Sequence, residues 1–228
     1  MKATLLNSTP EPEKTVALAA RLCYSDSTID ELGEKVAATS TEKFLDKILK
    51  MGHTSVLEHA SFTFGIEGIS RATSHQLVRH RLASYSQQSQ RYVTFDSPEY
   101  VTPASIASDT LKKKRFDEAV KAVYGLYKEL VGAGIPAEDA RYILPNAACT
   151  KIIVTMNARE LIHFFSLRCC ERAQWEIREL ATSMLILAKK AAPFIFKSAG
   201  PACVTGPCSE GDMTCGKPKE TRERFKSL

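Results

Sequence analysis

The sequence predicts an α+β fold, a helix-rich domain built on a small sheet. Three observations lead there. Apolar residues recur mostly at spacings of three and four, strict two-residue alternation is confined to short stretches, and no regular strand–helix–strand rhythm of a doubly wound sheet is present. With 228 residues, 44% of them hydrophobic, the chain can bury a core without disulfide or metal staples.

The elements follow in order. Residues 2–7 read as a short strand and 13–23 as a helix, with Val16, Leu18, Ala19 and Leu22 apolar. Residues 41–51 form a clearer helix, because Phe44, Leu45, Ile48 and Leu49 share one face and Gly52 stands where a left-handed C′ residue ends a helix. The period then changes: Phe62, Phe64 and Ile66 alternate with Ser61, Thr63 and Gly65, as in a half-buried strand. Helical spacing returns over 70–83. Residues 111–131 place Phe116, Ala119, Val120, Val123, Tyr127 and Leu130 along a long amphipathic helix that ends in Gly132-Ala133-Gly134. Pro136, Glu138 and Asp139 open a further helix, which Pro145 closes. Asn157 with Glu160 three residues on marks another helix start. Ile177, Leu180, Ala181, Met184, Leu185, Ala188 and Ala191 make the last core helix, which ends before Pro193. From 199 the composition shifts to Gly, Pro, Cys and charge. The expected organisation is one domain over 1–198 and a tail over 199–228.

Composition excludes several classes. Collagen-like and disordered chains are excluded by the apolar content, and no apolar run approaches the about 20 residues of a membrane span. The opening MKATLLNSTPEPEKT lacks the apolar stretch of a secretory leader, so a cytoplasmic location without membrane association is expected. The 31 Lys and Arg against 26 Asp and Glu leave a net charge of +5, spread along the chain. That does not predict nucleic-acid binding but suits small anions. Lys112, Lys113, Lys114 and Arg115 read as a solvated helix face. Seven cysteines, an odd number, suggest reduced thiols.

The densest polar stretch is residues 79–92, Arg-His-Arg-Leu-Ala-Ser-Tyr-Ser-Gln-Gln-Ser-Gln-Arg-Tyr. It holds three arginines, one histidine, three serines and three glutamines between a helix and a short apolar run at 92–95. Arginine forks grip phosphate in pairs of hydrogen bonds, and hydroxyl and loop N–H groups fill in around them. On spacing alone the loop suits a nucleotide site and a structural or interface loop equally.

Arg79-His80-Arg81, then seven residues, then Ser89 and Arg91-Tyr92, resembles the signature of the flavin-dependent thymidylate synthases. Further matches follow in that family's order: His53-Thr-Ser-Val-Leu-Glu58-His59, Glu138-Asp-Ala-Arg141 with Leu144-Pro145, Asn157-Ala158-Arg159, and Leu167-Arg168 with Ala173-Gln174-Trp175-Glu176. The resemblance covers about residues 15 to 195. It implies a mainly antiparallel sheet and a homotetramer with active sites between subunits. It also implies FAD as cofactor, dUMP as substrate, and methylenetetrahydrofolate and NADPH as co-substrates, giving dTMP and tetrahydrofolate. By position, Arg79, His80 and Arg81 would hold the flavin, with His53, Ser55, Gln87, Asn157, Ala158, Arg159 and His163. The nucleotide would meet Gln76, Leu77, Val78, Arg79 and the segment Gln87, Gln88, Ser89, Gln90 and Arg91, with Arg141 and Arg168. Arg168, beside the uracil N3/O4 edge, is the expected catalytic residue, because a fixed guanidinium enriches electron density at C5.

Other readings of these residues are weaker. Ser89 as a nucleophile lacks an adjacent base, and Cys169 and Cys170 face different ways on a helix, as inert thiols do. His53 and His59 lack the closer spacing of metal ligands, and no metal is expected. Gln87 stands where the family commonly has Glu, and His163 where Asn is usual; both still hydrogen-bond. Cys203, Cys208 and Cys215 lack paired CxxC spacing and number three, which favours a reduced, mobile tail over a metal or redox element. The rival functions are a basic RNA- or nucleotide-binding module with Tyr85 and Tyr92 stacking on bases, and flavin–folate methylation of uridine in RNA.

Overall fold

The computed structural model describes residues 1–95 and 97–228. Their order is β1 (Lys2–Ser8), α1 (Pro12–Leu22), α2 (Ile29–Ala37), α3 (Thr41–Lys50), β2 (Ser61–Ser70), α4 (Arg71–Leu77), β3 (Ala83–Gln87), α5 (Ala104–Ala107), α6 (Thr110–Gly132), α7 (Ala137–Ala140), β4 (Cys149–Asn157), α8 (Ala158–Arg168), α9 (Trp175–Ala191) and α10 (Pro218–Lys226). The strands form one antiparallel sheet in the order β1-β2-β4-β3. This is the α+β class expected. Among the described residues no helix is long and apolar enough to cross a membrane.

Contacts divide the chain into two compact units. The first comprises Met1–Lys2, Ile66–Arg79 and Tyr85–Ile153, and the second Ala3–Gly65, His80–Ser84 and Val154–Leu228.

In the first unit α6 supplies the core. Asp109 caps it by accepting from the Leu111 and Lys112 N–H groups, both at 3.0 Å. Val120 and Tyr124 pack on Ala148, joined by Phe95, Tyr100, Phe116 and Leu144. The buried stripe therefore includes Tyr124, whereas Ala119 is exposed, contrary to expectation. A second difference concerns 70–83. The helix stops at Leu77 and residues 83–87 pair as a strand, with the Gln88 N–H donating to the Lys151 carbonyl at 2.9 Å. Local periodicity cannot report so distant a partner. β4 also escaped the pattern reading, since Ile153 puts an apolar side chain on the exposed face and blurs the alternation of buried Thr150, Ile152, Val154 and Met156.

In the second unit, α1 packs against α2 and α3, and α8 against α9. Phe62 and Phe165 both meet Phe196 edge-on, with ring centres 5.2 and 6.0 Å apart. α3 ends where expected, with Gly52 at φ +79°.

The tail is a correction. Residues 199–228 are packed into the second unit: Phe225 is 1% exposed and Thr221 is buried. Lys189 donates to the Phe225 carbonyl at 3.0 Å, and Arg222 donates to those of Cys203 and Gly206 at 3.0 and 3.1 Å. Gly200 makes the packing possible, since a Cβ there would stand 3.1 Å from the Phe225 ring. Composition hid this because one large apolar residue anchors an otherwise polar segment. Phe225→Ala should destabilise the protein by about 3 kcal/mol; an unchanged urea midpoint would show the segment to be independent of the core.

Candidate active site

In the second unit a candidate site is built on α8. Asn157, the last residue of β4, caps this helix by accepting from the Glu160 N–H at 2.9 Å. The Glu160 carboxylate does not return to the cap. It turns inward, 6% exposed, to a 3.0 Å hydrogen bond with Nδ1 of His80, itself 5% exposed. On the other side of that ring, Arg168 Nε donates to His80 Nε2 at 3.1 Å. Glu160 and Arg168 lie about two turns apart on one helix, so they share the face that meets the imidazole.

This arrangement fixes the proton. Arginine can only donate, so His80 Nε2 must carry the lone pair and Nδ1 the hydrogen, which goes to Glu160. Burial holds the pKa of His80 below the usual 6.5. The Glu160 hydrogen bond and charge oppose that shift, and the charges of Arg168 and His163 reinforce it. The Phe164 ring meets the imidazole edge-on at 4.9 Å and excludes water from that side. Burial also lowers the pKa of Arg168, which as an arginine stays cationic. With Nε held, the terminal amino groups of Arg168 make no hydrogen bond among the described residues.

His80, Glu160 and His163 hold their donor atoms within 4.8 Å of one another, a grouping that could suggest a metal. The chemistry contradicts it: one His80 nitrogen accepts from a guanidinium cation and the other is bound to Glu160. A dication there would face Arg168 directly.

A cavity of about 890 Å³ opens beside α8, with Lys50, Thr54, Leu57, Arg159, Ile162 and His163 among its walls. Its size suits a dinucleotide, and the cations on its walls, Lys50, Arg159 and Lys197, are accompanied there by the carboxylates of Asp46 and Glu42. Arg159 also pairs with Glu58. Ser55, exposed, opens a 3-10 turn whose Val56 and Leu57 are buried, and His53 is exposed, with Tyr24 Oη 3.5 Å from its Nε2. Arg81 is exposed, whereas Ala158 is fully buried with its N–H on the Ala60 carbonyl at 2.7 Å.

The first unit gathers cations. Arg91 Nε donates to Glu138 at 2.7 Å and its backbone N–H to Ser89 Oγ at 3.1 Å, while Arg141 Nε donates to the Glu138 carbonyl at 3.1 Å. Arg71, which the sequence did not single out, joins them: burial and the Arg141 charge both lower its pKa. Around Glu138 the guanidinium groups outnumber the carboxylate, which favours an anion. Gln87 donates to Ser74 Oγ at 2.9 Å and Thr150 Oγ1 at 3.2 Å, so its amide N–H groups are held inside the protein. Leu77 is buried, Gln76, Gln88 and Gln90 are half-buried, and Val78 and Arg79 are exposed. Of the residues that pattern reasoning missed, Glu160 carried only a capping signal, and Arg71, Ser74 and Thr150 carried none.

The family model described as thymidylate synthase complementing protein matches residues 4–194. The chain belongs to that family. Among relatives, the flavin-dependent thymidylate synthase of Geobacter sulfurreducens is 64% identical over 230 residues, covering 100% of this chain and 99% of that protein. Those of Clostridium tetani and Pyrococcus furiosus are 48% and 47% identical, over 99% and 100% of this chain and 97% and 98% of theirs. The family match thus spans the arginine loop, the Glu138–Arg141 turn and α8.

The buried imidazole makes this family member acid-sensitive. The pKa of His80 is lowered on folding, so the unfolded chain takes up the proton first. Stability is full above about pH 6.5 and falls as pH drops from there toward the folded-state value. Urea midpoints measured across that range should decline, and decline less in His80→Gln; parallel acid slopes for the two proteins would contradict the assignment.

Proposed function

We propose that the chain is a flavin-dependent thymidylate synthase. It methylates dUMP to dTMP with 5,10-methylenetetrahydrofolate as carbon donor and FAD, reduced by NADPH, as hydride carrier, and it releases tetrahydrofolate. The observation that carries this reading is Arg168, locked at Nε by a buried neutral imidazole with its remaining N–H donors unspent.

The chemistry follows from these residues. Uracil C5 is a weak nucleophile, and a fixed guanidinium at the N3/O4 edge stabilises the negative charge that builds on the pyrimidine as C5 attacks. Arg168 is pre-organised for this, since Glu160 and His80 fix its direction before substrate arrives. His80 is therefore a positioning residue, in place of the flavin contact expected of it. The cationic group of Arg91, Arg141 and Arg71, with Ser89, suits the dUMP phosphate. The flavin supplies the hydride that no side chain can donate. Arg159, His163 and Lys50 would hold it in the 890 Å³ cavity, with Asn157, Ser55, His53, Arg79 and Arg81 as further contacts.

Two finer features belong to the same proposal: a cytoplasmic homotetramer and NADPH as the reductant. Large apolar side chains left open support association, with Leu82 71%, Tyr92 80% and Tyr142 84% exposed. The base-stacking alternative loses one platform, because Tyr85 is half-buried and its hydroxyl donates to the Leu77 carbonyl at 2.9 Å.

The decisive assay is tritium release from [5-³H]dUMP with methylenetetrahydrofolate and NADPH. Release dependent on both is expected, and its absence from yellow, FAD-loaded protein would reject the proposal. Arg168→Ala should keep the flavin absorbance and lose at least about 100-fold in kcat; near-normal turnover would remove Arg168 from the chemistry. Arg91→Ala should raise KM for dUMP by about 10- to 100-fold, and an unchanged KM would place the phosphate elsewhere.

A further inference from the structure

The three tail cysteines are not alone. The turn that follows α8 brings a fourth thiol to them, so that Cys170, Cys203, Cys208 and Cys215 line one small cavity of the second unit. Cys170 lies two residues beyond Arg168, at the corner between α8 and α9, and the other three come from the segment that precedes α10. No local spacing announces this set, because more than thirty residues of sequence separate the first ligand from the second.

We propose that these four cysteines form a tetrathiolate site for a single thiophilic divalent cation, Zn²⁺, which clamps the C-terminal segment to the end of α8.

Four observations carry the proposal. Four cysteines lining one small cavity supply the donor set of structural zinc. The cavity measures about 10 Å³, room for about one water-sized sphere, which suits one ion and not a multi-iron cluster. Backbone N–H groups two residues on are directed at two of the sulfurs, Lys217 N–H to Cys215 Sγ at 3.4 Å and Arg172 N–H to Cys170. Such bonds stabilise a metal-bound thiolate and orient it. The surrounding loop is also held independently, by Arg222 on the Cys203 and Gly206 carbonyls and by Arg224 on Glu171.

Cys169 provides the contrast. It is fully buried next to Thr182, and burial pushes its thiol up to about 12, so it is an inert core residue beside a proposed ligand. Among the described residues only the donors of His80, Glu160 and His163 already lie within 4.8 Å of one another. The four cysteines would therefore close on the ion by side-chain rotation. Binding exchanges four S–H bonds for four S–metal bonds and releases four protons to solvent.

The test uses the full chain, purified anaerobically from zinc-supplemented medium. Elemental analysis is expected to give one zinc per chain, released when a mercurial titrates the thiols. Replacement by Co²⁺ should produce the intense visible bands of a tetrahedral thiolate complex. Cys208→Ser should drop the metal content below about a tenth of an equivalent, while Cys23→Ser, an exposed cysteine outside this cavity, keeps it. Should Cys208→Ser fail to fold, the Co²⁺ spectrum of the unaltered chain decides. Sub-stoichiometric metal with no Co²⁺ bands, an iron–sulfur chromophore, or a disulfide among the four cysteines would each overturn the proposal.

Discussion

One buried hydrogen-bonded chain, Glu160 to His80 to Arg168, is the constraint on which the candidate site of the second unit depends. An arginine on a helix end is ordinarily a flexible surface cation. Here its Nε is held by an imidazole nitrogen that is obliged to accept, because the other nitrogen donates to a carboxylate. Burying a neutral histidine costs less than burying a charged one, and the Phe164 ring against the imidazole keeps water from competing. The outcome is a permanent cation whose direction is set by groups that need not touch substrate.

Cations elsewhere are arranged by the same logic. A net charge of +5 predicts little, yet the first unit places Arg71, Arg91 and Arg141 around the Glu138 turn, and the second lines its large cavity with Lys50 and Arg159. The pairing of Arg91 with Glu138 leaves both side chains about half exposed and is worth little in stability. It holds the guanidinium in place beside the turn.

The C-terminal segment extends the argument from the site to its support. It begins after the α9 helix, turns on Gly200, returns to cover the α8–α9 corner and ends on Phe225. Arg224 and Arg178 meet there on Glu171, three residues past Arg168, so the end of α8 is fastened from the surrounding loops.

The sequence by itself determined the helix-rich class, the bounds of α1, α3, α6 and α9 to within a residue or two, the cap at Asn157, and the loop whose motif points to flavin and nucleotide. These depend on neighbours along the chain, through apolar periodicity, capping side chains and a long local signature. Only the tertiary structure decided the edge strand at 83–87, the inward turn of Glu160, the committed amide of Gln87, the place of Arg71 beside Arg141 and the packing of the last thirty residues. Each depends on a partner far away in sequence, and a one-dimensional pattern carries no record of which distant side chain will accept a hydrogen bond or which fourth sulfur will join three others.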